Sequence, residues 1–142
     1  MNPLRFVDTH AHLMDAAFAP DLSEVLDRAR GVGVCAFVVV GYDLESSEAA
    51  IALASRHPDI WATVGIHPNR ADVATDRALA RIEEMTKAAR VVAIGECGLD
   101  FYRDRTSPDA QRSAFRAQLA IAAEVSLPVV VHSREAMEET LR

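Results

Sequence analysis

Apolar, largely β-branched runs recur along the chain at Arg5 to Val7, Val34 to Val40, Ile60 to Val64, Val91 to Ile94 and Pro128 to Val131, and each predicts a strand. The stretches between them carry a helical period. Asp21 precedes Leu22, Val25, Leu26 and Ala29, has Glu24 as a capping-box partner three places on, and is followed by the breaker Gly31. Asp43 is the expected cap of a second helix from Leu44 to about His57, closed by Pro58. A third helix starts at Thr75 or Asp76 and carries Leu79, Ile82 and Met85; a fourth opens at Ser107-Pro108 with Phe115, Leu119 and Ala122 on one stripe.

The order is therefore β-α-β-α-β-α-β-α-β, with strand starts roughly 26 to 37 residues apart, which parallel strands with right-handed crossovers explain. Runs such as Ala36 to Val40 are apolar throughout, as in a sheet covered on both faces. The fold class is α/β, and two architectures fit: a doubly wound open sheet, or part of an eight-stranded TIM-type barrel. The turn after the first run, Thr9 to Asp15, lacks the glycine spacing of a dinucleotide-binding turn, which favours parallel (β/α) barrel repeats. No linker or composition break divides the 142 residues, so residues 1–142 read as one domain.

Every run ends in a polar or turn motif. His10 and His12 follow the first, Gly41-Tyr42-Asp43 the second, Gly65-Ile66-His67-Pro68 the third, Gly95-Glu96-Cys97-Gly98-Leu99-Asp100 the fourth and His132-Ser133-Arg134-Glu135 the fifth. In a parallel barrel these ends share one rim, where side chains from several strands reach one space.

His10 and His12, two apart on a strand, project together and offer two imidazoles to one cation; the alternative is a pair of hydrogen-bonded polar residues. Glu96, behind Val91 to Ile94, is costly to bury unless paired or metal-bound. It either bridges two cations, one on His10 and His12 and one on His132, or forms an ion pair with Arg103 or Arg134. His67 suits a substrate contact as well as a structural hydrogen bond. Arg134 suits a bidentate phosphate clamp, against a solvated arginine at a helix start. Strand alternation turns Cys97 away from any metal, into packing. Asp100, Tyr102 and Arg103 either contact substrate or serve only their loop.

Composition narrows the field. Half the residues are hydrophobic and the net charge is -6, which argues against a chain that coats nucleic acid by bulk charge, though cations in a cleft would still attract an anion. No apolar run approaches the roughly 20 residues of a membrane span, and the start, MNPLRF, has no signal-peptide core, so the expectation is a cytoplasmic protein without a membrane partner. Cys35 and Cys97 are too few and too far apart for a disulfide framework or a thiolate zinc site, and read as free thiols.

Taken together, DTHAHL, GIHP, GECGLDFY and VVVHSREA, in this order from about Phe6 to the end, resemble the TatD-like metal-dependent deoxyribonucleases of the amidohydrolase-type barrels. The resemblance implies a (β/α)8 barrel, a centre of two divalent metal ions (Mg, Mn or Zn) with no organic cofactor, and hydrolysis of phosphodiester bonds in DNA or another phosphoester. It further implies that His10 and His12 bind the first metal, Glu96 bridges both and His132 binds the second; with the residue-level reading, Glu96 and Arg134 are the catalytic candidates and His67 and Arg134 the substrate candidates. Related barrel hydrolases bridge their metals with a lysine; the only lysine here, Lys87, falls in a predicted helix.

The departure is length. A complete barrel takes about 250 residues, and this chain carries five predicted strands, without the later-strand histidine and aspartate that family members add to the centre. The expectation is the N-terminal part of the barrel, catalytically incomplete alone; the alternative is a non-catalytic fragment or binding module that keeps the metal motifs. Open sheet edges at the first and fifth strands would favour a homodimer or a longer parent chain.

Overall fold

The computed structural model describes residues 4–142. Five parallel strands, β1 (Phe6–Ala11), β2 (Val34–Val40), β3 (Ile60–Val64), β4 (Val91–Asp100) and β5 (Val129–Arg134), form one sheet in sequence order. Helices α1 (Leu22–Gly31), α2 (Leu44–Arg56), α3 (Asp76–Met85) and α4 (Pro108–Val125) connect them, and the short α5 (Met137–Thr140) follows β5. Two 3-10 segments, Ala16–Phe18 and Pro68–Val73, lie in the loops after β1 and β3. Each strand pairs with its successor. A doubly wound sheet reverses its strand order at a switch point, whereas this order is that of a curled half-barrel, with the barrel incomplete.

The helices pack on the sheet through one apolar cluster. Leu26 of α1, Val39 of β2, Leu53 of α2, Ile60 and Val64 of β3, Ile82 of α3, and Ile94 and Leu99 of β4 are all fully buried within it. Strand β4, flanked by β3 and β5, is buried at every position except Val92. At the edges, by contrast, Phe6 and Val7 of β1 are 50% and 54% exposed, and Val131 of β5 is 46% exposed. Two-sided cover is therefore fullest at β4, partial at β2 and β3, where Trp61 is exposed, and fails at β1 and β5, beyond which no strand pairs among the described residues.

Caps set most helix starts. Asp43 and Ser46 form a reciprocal capping box on α2: the Asp43 carboxylate accepts from Ser46 N–H at 2.8 Å, and Ser46 Oγ accepts from Asp43 N–H at 2.9 Å. Thr75 and Ser107 cap α3 and α4 through their hydroxyls. The box expected between Asp21 and Glu24 does not form. Asp21 sits at φ -140°, ψ 26°, outside the extended conformation that turns a cap side chain back onto the first turn, and its carboxylate lies 3.5 Å from Arg28 instead. Helix α2 ends at Arg56, one residue early, because His57 precedes Pro58 and is extended (φ -128°, ψ 120°).

Three strands outrun their apolar cores. β1 continues to Ala11, β4 through the whole of GECGLD, and β5 through His132 to Arg134. The glycines of GECGLD, which read as turn residues, serve close packing of β4 on β5: a Cβ on Gly95 would meet Val130 O at 2.4 Å, and one on Gly98 would meet His132 O at 2.1 Å. Both have positive φ, +135° and +143°. No helix among the described residues is long and apolar enough to cross a membrane.

Candidate metal centre

The strand extensions place the chemistry. Glu96 sits within β4, nearly buried, and its own N–H donates to Gly41 O at the end of β2 at 2.7 Å. Its Oε1 lies 2.9 Å from His132 Nδ1 and its Oε2 3.3 Å from His10 Nε2. The arginine pairing weighed for Glu96 is not formed; its partners are histidines.

Buried amides on α4 hold the neighbouring strand ends. Gln118 Oε1 accepts from Ile66 N–H at 2.7 Å while its Nε2 donates back to Ile66 O at 3.0 Å, which fixes the backbone just before His67. Gln111 does the same for Asp100, accepting from its N–H at 2.8 Å and donating to its C=O at 3.0 Å. Each glutamine satisfies backbone groups that would otherwise be stranded where a strand passes into a loop.

Hydrogen bonds decide which ring nitrogen of each histidine is free. His12 Nδ1 lies 2.8 Å from Val40 O, and a carbonyl only accepts, so Nδ1 carries the hydrogen and Nε2 presents a lone pair. The His12 ring also meets Tyr42 edge-on, and Tyr42 donates its hydroxyl to Asp15 at 2.9 Å. That bond, reinforced by burial, raises the Tyr42 pKa.

His67 has the opposite tautomer. Asn69 N–H donates to His67 Nδ1 at 3.0 Å, so the single hydrogen of the neutral ring sits on Nε2, which lies 3.1 Å from His132 Nδ1. Burial first, and the charge of His132 second, push the His67 pKa down to about 4, keeping it neutral. His67 thus offers the site an N–H donor.

His132 lies between two carboxylates. Its pKa is raised, chiefly by the hydrogen bond to Glu96, with both Glu96 and Asp100 adding favourable charge. Its buried Nε2 lies 3.3 Å from Asp100 Oδ2 without aligning into a hydrogen bond. Asp100 is 1% exposed, and accepts from Tyr102 N–H (3.1 Å), Arg103 N–H (3.0 Å) and Asn69 Nδ2 (3.1 Å). Burial pushes the pKa of both Asp100 and Glu96 upward, but these donors in the first case and the histidines in the second outweigh it, and both carboxyls are held below their usual range.

Two groups of ligand atoms result, each with its atoms within 4.8 Å of one another: His10, His12 and Glu96, and His67, Glu96 and His132. Glu96 belongs to both. In the second group the protonated Nε2 of His67 is a donor, so the lone pairs come from Glu96 and His132. Two imidazoles and a carboxylate beside a shared carboxylate with one further imidazole is a donor set that suits a pair of divalent cations, and the orphaned Nε2 of His132 fits a ring held by its other nitrogen.

The remaining candidates fall outside the ligand groups. Arg134 is exposed and stacks on Tyr102, its guanidinium 3.8 Å from the ring centre. Cys97 is fully buried in the apolar cluster, where burial pushes its thiol up to about 12, in keeping with a packing role. Asp100 reads in the sequence as a loop residue of open role. Its signal was the two-residue alternation from Glu96 through Gly98, legible only if β4 continues. Gln111 and Gln118 stand seven apart, with Phe115 between them on the same buried stripe of α4, a polar interruption that the sequence reading passed over.

A profile of the family described as "TatD related DNase" matches residues 7–142. The chain is 43% identical over 132 residues to a "3'-5' ssDNA/RNA exonuclease TatD" of Erwinia tasmaniensis, covering 92% of this chain and 51% of that protein. It is 41% identical over 134 residues to the "Uncharacterized metal-dependent hydrolase YabD" of Bacillus subtilis, covering 94% and 52%. Among solved structures, YJJV, a TatD homolog from Escherichia coli, superimposes with a TM-score of 0.89 at 32% identity over 96% of this chain and 53% of its own. The chain spans about half the length of the curated relatives it matches.

Proposed function

The chain belongs to the TatD related DNase family, and we propose that its site serves metal-dependent hydrolysis of phosphodiester bonds in DNA. The observation that carries this reading is Glu96, a single carboxylate whose two oxygens face histidines of different strands, His10 and His132. Two divalent cations, Mg, Mn or Zn, held by His10, His12, Glu96 and His132 would supply Lewis acidity and a water of lowered pKa. The name of the Erwinia relative, an exonuclease on single-stranded DNA and RNA, favours a single-stranded substrate.

The chain's own residues divide the remaining work. His12 is held in one tautomer by Val40 O, and His132 is placed between the carboxylates of Glu96 and Asp100. His67, kept neutral, donates Nε2–H to a phosphate oxygen once His132 Nδ1 is otherwise engaged. Arg134, which has no carboxylate partner within ion-pair distance among the described residues, balances charge on the substrate.

Three donors serve the first cation and two the second, so a titration of the chain with Zn²⁺ or Mn²⁺ is expected to show a tighter and a weaker event, with little turnover of single-stranded DNA. Glu96→Ala is expected to weaken both events at least tenfold. Equal metal affinity in the two proteins refutes the shared-carboxylate centre. The open edges, with Phe6, Val7 and Val131 exposed, support self-association into a homodimer, and a monomer by sedimentation equilibrium at high concentration would count against it.

A further inference from the structure

We propose that Arg70, Arg103 and Arg105 form an anion subsite beside Glu96 that holds a backbone phosphate of a polynucleotide strand next to the bond being cut; this rests on the nuclease reading above. The three arginines line one cleft of about 280 Å³ together with Glu96, His67 and Asn69. They arrive from two loops, Arg70 from the 3-10 segment after β3 and the other two from the loop after β4.

Arg103 and Arg105 combine a place in this cleft with the lack of a carboxylate partner among the described residues. Arg28, Arg30, Arg81, Arg112 and Arg142 each lie within 3.5 Å of a carboxylate. Arg103 and Arg105 have no carboxylate within ion-pair distance among the described residues, and Arg70 reaches only Asp43, at 3.8 Å. The carboxylate nearest Arg103 in sequence, Asp100, is occupied by backbone N–H groups and by Asn69. In a chain of net charge -6, two unpaired guanidiniums and a third held only by a long contact line one cleft, where a bound anion would offset their charge.

The shape and chemistry of the cleft select the ligand. At about 280 Å³ it falls just below the range typical for drug-sized organic ligands, and its walls carry donors: three guanidiniums and the Nε2–H of His67. Planar guanidiniums match phosphate oxygens in forked geometry. Contacts of this kind grip the backbone and carry no base information, so the subsite favours phosphate over sequence. Its continuity with Glu96 and His67 places the held phosphate beside the metal ligands.

The test is binding without catalysis. Affinity of the chain for a fluorescent oligothymidylate is measured by anisotropy in EDTA across a salt series, and inorganic phosphate is titrated separately by calorimetry. The Arg103→Ala/Arg105→Ala variant is expected to bind the oligonucleotide about tenfold more weakly and to flatten the log–log salt dependence by about 1.4, at roughly 0.7 per phosphate contact on a single strand. Arg81→Ala, which removes an exposed arginine paired with Glu48 on the helical face, is expected to leave both quantities unchanged. Phosphate binding lost in the double variant while the oligonucleotide fails to bind even the wild type would uphold the subsite and sink the nuclease reading. Binding of both probes that is indifferent to the double variant overturns the subsite, and leaves the metal titration to judge the centre on its own.

Discussion

Acidification should expose His67 as a neutral, hydrogen-bond-defined residue. Its Nδ1 accepts from Asn69 N–H, so a second proton both breaks that bond and sets a positive charge against His132. The folded pKa is about 4 against an ordinary value of 6.5, so the folded state binds this proton less readily than the unfolded chain. Stability from His67 is thus complete above pH 6.5 and is lost as pH falls toward 4. A gap of this size corresponds to about 3 kcal/mol, trimmed by screening of a half-buried ring to about 2 kcal/mol.

Its neighbours act in other windows. His132, whose pKa is raised, contributes stability that is fully present below 6.5 and is lost only as pH rises through its folded value. The depressed carboxyls of Glu96 and Asp100 lose theirs below about 4. Between pH 6.5 and 4.5 the difference between wild type and His67→Asn therefore isolates this one ring, because the asparagine side chain still accepts from Asn69 N–H as a cap. Urea unfolding in EDTA, followed by circular dichroism at several pH values, should show wild type losing about 2 kcal/mol more than the variant across this window. Parallel pH profiles for the two proteins would refute both the tautomer assignment and the N–H donor role built on it.

Two further substitutions probe the frame of the centre. In Asp100→Asn the retained oxygen still accepts from Tyr102 and Arg103 N–H, while an NH₂ replaces the oxygen facing His132. The His132 pKa, raised in part by the Asp100 charge, should then fall, visible as a lower His132 midpoint in ¹H–¹⁵N correlation spectra, with metal affinity down about 10- to 100-fold; an unmoved midpoint disproves the electrostatic role of Asp100. In Gly98→Ala the new methyl would lie 2.1 Å from His132 O at a φ of +143°, so β4 and β5 must part, at a cost of about 2 to 5 kcal/mol from overpacking and backbone strain combined. A urea midpoint like that of wild type would show that the two strands tolerate separation at that register.

The order of elements and the candidacy of His10, His12, Glu96 and His132, which the fold brings together, were legible in the sequence, because each rests on local chemistry. Short β-branched apolar runs between turn residues favour strands, caps such as Asp43 and Thr75 act within one turn, and His10, Glu96 and His132 are polar residues attached to apolar strands. Tertiary structure decided the rest. Whether GECGLD is a turn or a strand depends on β5 approaching so closely that only glycine fits, and that extension is what buries Asp100 beside His132. The tautomers of His12 and His67 depend on Val40 O and Asn69 N–H, groups whose placement follows from sheet register and from a 3-10 turn. The meeting of Arg70 with Arg103 and Arg105, 33 and 35 residues further on, has the same origin: their two loops share a cleft because β3 and β4 are neighbours. Local pattern names the groups, and only packing fixes which proton each carries and which charges are left without a partner.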